Sequence, residues 1–262
     1  MKRISSRDNP LFKELKQLAG SSQARRKEGR TLLDGVHLCQ TYLQEVGMPR
    51  ACVVSEASAA MPEVAAILQR CEEGAAQCIA LPSALYENVS QVENGVGVFF
   101  LIDTPVPATP PGIVQTCVLL DRLQDPGNLG SILRTAAAAG IRQVYCARGT
   151  VLAWSPKVLR AGMGAHFLLE IFEHADLDTL IRDARIPVAA TSSHAAQRIY
   201  DLDLRQPVAW LFGHEGQGAD ETLLGQAAYR VTIPHLGRIE SLNVAASAAI
   251  CLFEQVRQRS VD

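Results

Sequence analysis

The sequence predicts an α/β protein: a carboxyl-terminal, mostly parallel sheet with helices on both faces, preceded by a smaller α/β unit. Three observations carry this. Short apolar runs alternate with helical patterns along the chain, as βαβ units require. A run with four prolines between Pro105 and Pro111 interrupts that alternation once. Two apolar runs near the carboxyl terminus end in glycine-containing loops, Gly213–Gly218 and Pro234–Gly237, and ligands of open α/β sheets bind outside such strand ends.

In the first unit, residues 1–103, the segment Asn9–Gly20 places Leu11, Leu15 and Leu18 at helical spacing, with lysines opposite and Gly20 as terminator. A strand, a turn at Gly35 and a helix follow over Arg30–Gly47. Next come a strand at Ala51–Ser55, a helix around Glu63–Cys71 and a strand at Gln77–Leu81. A helical stretch near Pro82–Asn88 then precedes an apolar strand at Val96–Ile102. Residues 104–115 form the linker, because proline removes ladder donors and favours extended geometry.

The alternation restarts in residues 116–262. A strand at Cys117–Asp121 leads to a helix opened by Asp125 as cap and Pro126 in the first turn, and closed by Gly140. A strand at Gln143–Ala147 and a helix with Pro156 in its first turn follow. A strand near Phe167–Phe172, a helix near Leu177–Ala184 and a strand at Pro187–Thr191 come next. The last two strands end at Gly213 and Ile233, and a final helix of small residues begins after Asn243.

Composition narrows the class. The chain has 262 residues and is 48% hydrophobic, enough for a substantial core, and no apolar run reaches the ~18 residues of a membrane span. No apolar stretch follows the basic amino terminus, so no signal peptide is expected. Seven cysteines lack metal-site spacing and are expected as buried thiols of a cytoplasmic protein. Net charge is −2, yet nine basic residues against three acidic ones give residues 1–30 a charge of +6, leaving −8 for the rest. A basic arm of this kind suits phosphate contacts, with Lys13, Lys16, Arg25, Arg26 and Arg30 as candidates. G-x-G-x-x-G and G-K-[ST] are both absent, which argues against a nicotinamide oxidoreductase or a P-loop enzyme. H-E-x-x-H is absent too, and no metal is expected.

Three stretches carry chemistry: Asn128 through Arg134, then Gly213-His214-Glu215-Gly216, then Ile233-Pro234 with Glu240-Ser241-Leu242-Asn243-Val244. In this order and spacing they resemble the three motifs of the SpoU (TrmH-type) family of RNA ribose 2′-O-methyltransferases, within the SPOUT superfamily. The match runs closely from Cys117 to about Glu254. The amino-terminal part looks, more loosely, like that family's RNA substrate-binding domain, which resembles a ribosomal protein.

The resemblance implies S-adenosylmethionine as cofactor, a deep trefoil knot in residues 116–262, a homodimer, and an RNA substrate, ribosomal rather than transfer RNA. It implies a cofactor site from Thr191, Leu211, Gly213, Gly218, Ile233 and Leu242, largely through main chain. It implies catalytic roles for Arg134, Asn128, Glu215, Ser241 and Asn243. Arginine keeps its proton below about pH 12, so Arg134 is expected to stabilise alkoxide charge and hold a phosphate rather than act as a base. Asn128, Ser241 and Asn243 would orient the ribose and Arg134, and Glu215 would fix Arg134 or its loop. The chain departs from the family at His214, where Asn is usual, and at His235, where Met is usual. A factor that keeps this fold and binds RNA without catalysis is the alternative, and the intact polar set argues against it.

Overall fold

The computed structural model describes residues 1–92, 95–108, 110 and 112–260. The chain divides into two compact units, Met1–Pro105 with Trp154–Phe167, and Val106–Ala153 with Leu168–Asp262. Two positions of the expected linker, Thr109 and Pro111, lie outside the described residues.

The first unit is a mixed five-stranded sheet of β1 (Lys2–Arg3), β2 (Arg30–Asp34), β3 (Ala51–Ser55), β4 (Gln77–Leu81) and β5 (Val98–Asp103), in the order β1-β4-β3-β5-β2. β1, β4 and β3 run parallel, and β5 is antiparallel to both β3 and β2. α1 (Pro10–Gly20) buries Phe12, Leu15, Leu18 and Ala19 against one face. Asn9 caps it, its side-chain oxygen accepting from the Leu11 amide at 3.0 Å. α3 (Val36–Glu45), α4 (Pro62–Glu73) and α5 (Ser83–Tyr86) fall on the expected segments.

α2 (Ser22–Glu28) was not foreseen, because it buries no residue and so has no apolar period to read. Local chemistry holds it: Ser21 accepts from the Ala24 amide at 3.1 Å, and Gly29 closes it with φ +60°. α7 (Pro156–Gly162), read from the sequence as part of the second domain, packs within the first unit. Val158 and Leu159 are buried there, the Thr31 hydroxyl donates to the Trp154 carbonyl at 2.9 Å, and Arg160 donates to the Gln91 carbonyl at 2.6 Å. These partners lie 123 and 69 residues away, beyond the reach of a local pattern.

The second unit is an all-parallel sheet. Its strands are β6 (Cys117–Leu120), β7 (Gln143–Ala147), β8 (Glu170–Ala175), β9 (Val188–Thr191), β10 (Gln197–Arg198), β11 (Ala209–Phe212) and β12 (Tyr229–Thr232). Their order is β10-β12-β9-β11-β6-β7-β8. Alternation sorts the side chains. Cys117, Leu119, Ala209, Leu211 and Ala190 join one core with α8 (Leu177–Arg182) and α9 (Glu221–Gln226). The intervening residues face the other way, where Trp210 donates its indole N–H to Gln255 Oε1 at 2.9 Å. Gln255 lies on α10 (Val244–Arg259), which packs against α6 (Pro126–Ala138). Helices therefore cover both faces, as the sequence predicts.

β8 starts at Glu170 rather than near Phe167, because Ala165–Phe167 forms a turn of 3₁₀ helix. All seven cysteines are buried thiols. Among the described residues no helix is long and apolar enough to cross a membrane.

Candidate active site

The registers Leu211↔Ala190, Val231↔Thr191 and Phe212↔Leu120 bring the carboxyl ends of β12, β9, β11 and β6 to one level, side by side. The loops that leave those ends include all three motifs. α10 packs beside α6 rather than beside β12, so residues 233–243 pass back across the ends of β9 and β11.

Hydrogen bonds join the motifs. The Glu215 carboxylate accepts from the Gln124 amide (3.1 Å), the Asp125 amide (3.0 Å) and the Asn128 side-chain nitrogen (3.1 Å). Asn128 Oδ1 accepts in turn from Asn243 Nδ2 at 2.8 Å. Asn243 also caps α10, its Oδ1 accepting from the amides of Ala245 (2.9 Å) and Ala246 (3.2 Å). One carboxylate thus pins the amino terminus of α6, and one amide ties it to the amino terminus of α10. Both amides use donor and acceptor at once, which sets their orientation. Burial works to raise the Glu215 carboxyl, but the Asp125 amide, the Asn128 side chain and the Gln124 amide together hold it below its usual value of 4.5.

Glu215 binds the loop and not Arg134, which decides between the two partners the sequence offered. Arg134 is exposed on α6, with no hydrogen bond or ion pair among the described residues. Ser241 is likewise exposed. Asp125 caps α6 as expected, accepting from the Asn128 amide at 2.8 Å.

The glycine loop is a tight closed turn. His214 and Gly218 exchange main-chain hydrogen bonds of 3.0 and 2.8 Å. His214 Nδ1 accepts from the amides of Gly216 (3.0 Å) and Gln217 (3.2 Å). An asparagine side-chain oxygen could accept in the same way, so histidine at this position keeps the turn. Gly213 is required by space: an added Cβ would lie 1.9 Å from the Ala219 nitrogen. Gly218 is required by conformation, at φ +72°.

The residues assigned to the cofactor fall into two groups. Thr191 ends β9, Gly213 follows β11 and Ile233 follows β12, at strand ends brought side by side, while Gly218 lies in the glycine loop and Leu242 in the loop before α10. Leu211 lies inside a central strand, fully buried, with β9 and β6 paired on either side. Its main chain is engaged in the sheet on both sides.

The basic candidates of the first unit also divide. Arg25 donates to the carbonyls of Leu18 and Ala19, closing the end of α1, and burial lowers its guanidinium below the usual arginine value. Arg30 pairs with Glu14 and lies 3.6 Å from Asp103. Lys13 meets Asp8 at 3.0 Å. Lys16 and Arg26 point to solvent.

Sequence reasoning missed Asp121, Arg122 and Gln124. Asp121 is 3% exposed and accepts from the Asp220 amide at 2.9 Å and twice from Arg122, at 3.0 and 3.1 Å. It ties the far end of the glycine loop to β6. Arg122 adopts φ +56°, a conformation costly for an arginine, offset here by the bidentate ion pair. The signal in the sequence was an aspartate ending the apolar run Cys117–Leu120.

A parallel sheet whose out-of-order central strands end in loops tied together by Glu215, Asn128 and Asn243 has the build of an α/β enzyme that takes its ligand at the strand termini. The chain belongs to the SpoU rRNA Methylase family, whose model matches residues 115–253. It is 33% identical over 260 residues to a tRNA/rRNA methyltransferase of Synechocystis, covering 98% of this chain and 94% of that one. It is 28% identical over 256 residues to the 23S rRNA (guanosine(2553)-2′-O)-methyltransferase RlmP of Bacillus subtilis, covering 97% and 98%. The crystal structure of an AdoMet-bound rRNA methyltransferase from Sinorhizobium meliloti superposes with a TM-score of 0.85 at 27% identity, covering 98% of this chain and 97% of that one.

Proposed function

We propose that this S-adenosylmethionine-dependent RNA ribose 2′-O-methyltransferase acts on ribosomal RNA, as a homodimer, with Arg134 at the reacting hydroxyl. The bond path from Glu215 through Asn128 to Asn243 carries the reading, since it draws one residue from each motif into a single scaffold beside the strand ends.

The cofactor supplies an electrophilic methyl group on a sulfonium. The protein's part is orientation and charge placement. Arg134, held on the helix that Glu215 and Asn243 position, stabilises negative charge as the 2′-hydroxyl loses its proton, and its spare donors hold the neighbouring phosphate. Ser241, exposed and without a partner among the described residues, orients the ribose. Thr191, Gly213, Gly218, Ile233 and Leu242 hold the cofactor, with Leu211 beneath.

A trefoil knot belongs to the same reading, supported by the return of α10 to α6 across β9 and β11. Leu236, Ile239 and Phe253, all exposed on the last loop and helix, support self-association through that face. The first unit would hold RNA through Lys16 and Arg26, with ribosomal RNA favoured by the names of the relatives. The test is transfer of labelled methyl to ribosomal and transfer RNA, with the modified ribose mapped. Arg134→Ala should lower transfer by about two to three orders of magnitude and leave S-adenosylhomocysteine affinity intact. A fully active variant refutes the role of Arg134, and labelling of transfer RNA alone refutes the substrate.

A further inference from the structure

The loop after β7 is bonded to the end of β6 and to the loop that precedes the first motif. Gln124 Nε2 donates to the Gly149 carbonyl at 2.6 Å, while the Gln124 amide donates to Glu215 Oε2 at 3.1 Å. The Val151 amide donates to the Leu123 carbonyl at 2.8 Å, and the Thr150 hydroxyl to the Leu120 carbonyl at 3.3 Å. Gln124 therefore spans from the carboxylate that organises the motifs to the turn at residues 147–150. That turn is closed by the Thr150 amide on the Ala147 carbonyl at 3.1 Å, with Gly149 at φ +90°. A positive φ at the third position is the type II turn, and it puts the second residue, Arg148, at the apex.

Arg148 is exposed there, with no hydrogen bond or ion pair among the described residues. The acidic groups of this rim are already engaged. Glu215 accepts from three N–H donors, Asp121 is paired with Arg122, Asp125 caps α6, and Glu173 accepts from the Ala153 amide at 2.8 Å. An arginine at the apex of a backbone-fixed turn, without a counterion among the described residues and joined through Gln124 to the loops at the strand ends, is suited to a phosphodiester oxygen.

We propose that Arg148 is a substrate-binding residue, gripping a backbone phosphate of the RNA strand entering the site, and that Gln124 sets its position relative to Glu215. This rests on the reading of the site as an RNA 2′-O-methyltransferase, but RNA binding can be measured without turnover. The test compares wild type, Arg148→Ala and Arg148→Lys in equilibrium binding to ribosomal RNA over a range of salt, with S-adenosylhomocysteine affinity as control.

Arg148→Ala should weaken RNA binding about tenfold or more and reduce the slope of log affinity against log salt by about 1. Its KM for RNA should rise more than its kcat falls. Arg148→Lys should restore the slope and part of the affinity, since the charge remains but the fork is lost. Cofactor affinity should not move in either variant. An alanine variant with the wild-type slope and affinity overturns the proposal, as does a variant that changes the oligomeric state instead. Wild-type protein that binds RNA and S-adenosylhomocysteine yet transfers no methyl counts against the enzymatic reading, while the slope still reports on Arg148.

Discussion

Glu215 sits in the most exposed part of the glycine loop and yet carries the joint between two helices. Its carboxylate takes three donors, two of them amides at the start of α6, where the helix dipole also favours negative charge. Glu215→Gln replaces one acceptor oxygen by an N–H that must face an amide donor. We expect a stability loss of about 1–2 kcal/mol and a larger fractional loss of methyl transfer, as α6 loses its register to α10. The pH dependence has a definite sign. The folded-state pKa of Glu215 lies below its ordinary value of 4.5, so its contribution is complete above that value and disappears as pH falls through the depressed one. Thermal melts of the wild type from about pH 6 to pH 3 should show this component, and the glutamine variant should lack it. Superimposable melting profiles would contradict the assignment. Glu215 could be singled out in the sequence as an isolated carboxylate between glycines; its choice of the loop over Arg134 could not, because Gln124 and Asp125 lie about ninety residues away along the chain.

The elements show where residue type misleads. Five basic residues of the amino-terminal arm have the same standing in the sequence, but α1 and α2 use them differently. Arg25 terminates α1 by donating to its last carbonyls, and Arg30 is committed to Glu14. Arg26 remains exposed on the other side of α2. We therefore expect Arg25→Ala to lower the melting temperature of the protein with a secondary effect on RNA affinity. Arg26→Ala should leave the melting temperature in place, weaken RNA binding and reduce its salt dependence. A paired melt and binding titration distinguishes them, and equal behaviour of the two variants would overturn the division. α2 and α7 teach the same lesson from the other side: a seven-residue helix without a buried face has no period, and the partners of α7 lie far away in sequence.

At the scale of the molecule, four of the thirteen large apolar side chains left exposed among the described residues, Leu236, Ile239, Leu242 and Phe253, fall within the last loop and helix. Leu236 is wholly exposed, Ile239 is 67% exposed and Phe253 is 46% exposed. In the proposed dimer these positions would be covered by a second copy. If the protein is the proposed dimer, Phe253→Glu should convert it to monomer in sedimentation, and transfer activity should fall with it because the adjoining loop 233–243 crosses the strand ends. A variant that stays dimeric, or a wild type that sediments as monomer, would remove self-association from the proposed function.

The sequence by itself determined the two-unit α/β plan, nearly every strand and helix with a buried face, and the identity of the motif residues. Period-2 and period-3.6 patterns are local consequences of which side of an element meets the core, and glycine or cap residues mark its ends. Only the tertiary structure decided the strand order, the placement of α7 in the first unit, the engagement of Arg25 and Arg30, and the partners of Glu215, Asn128 and Asn243. Those outcomes depend on contacts between residues far apart along the chain, and such contacts leave no periodic trace at either partner.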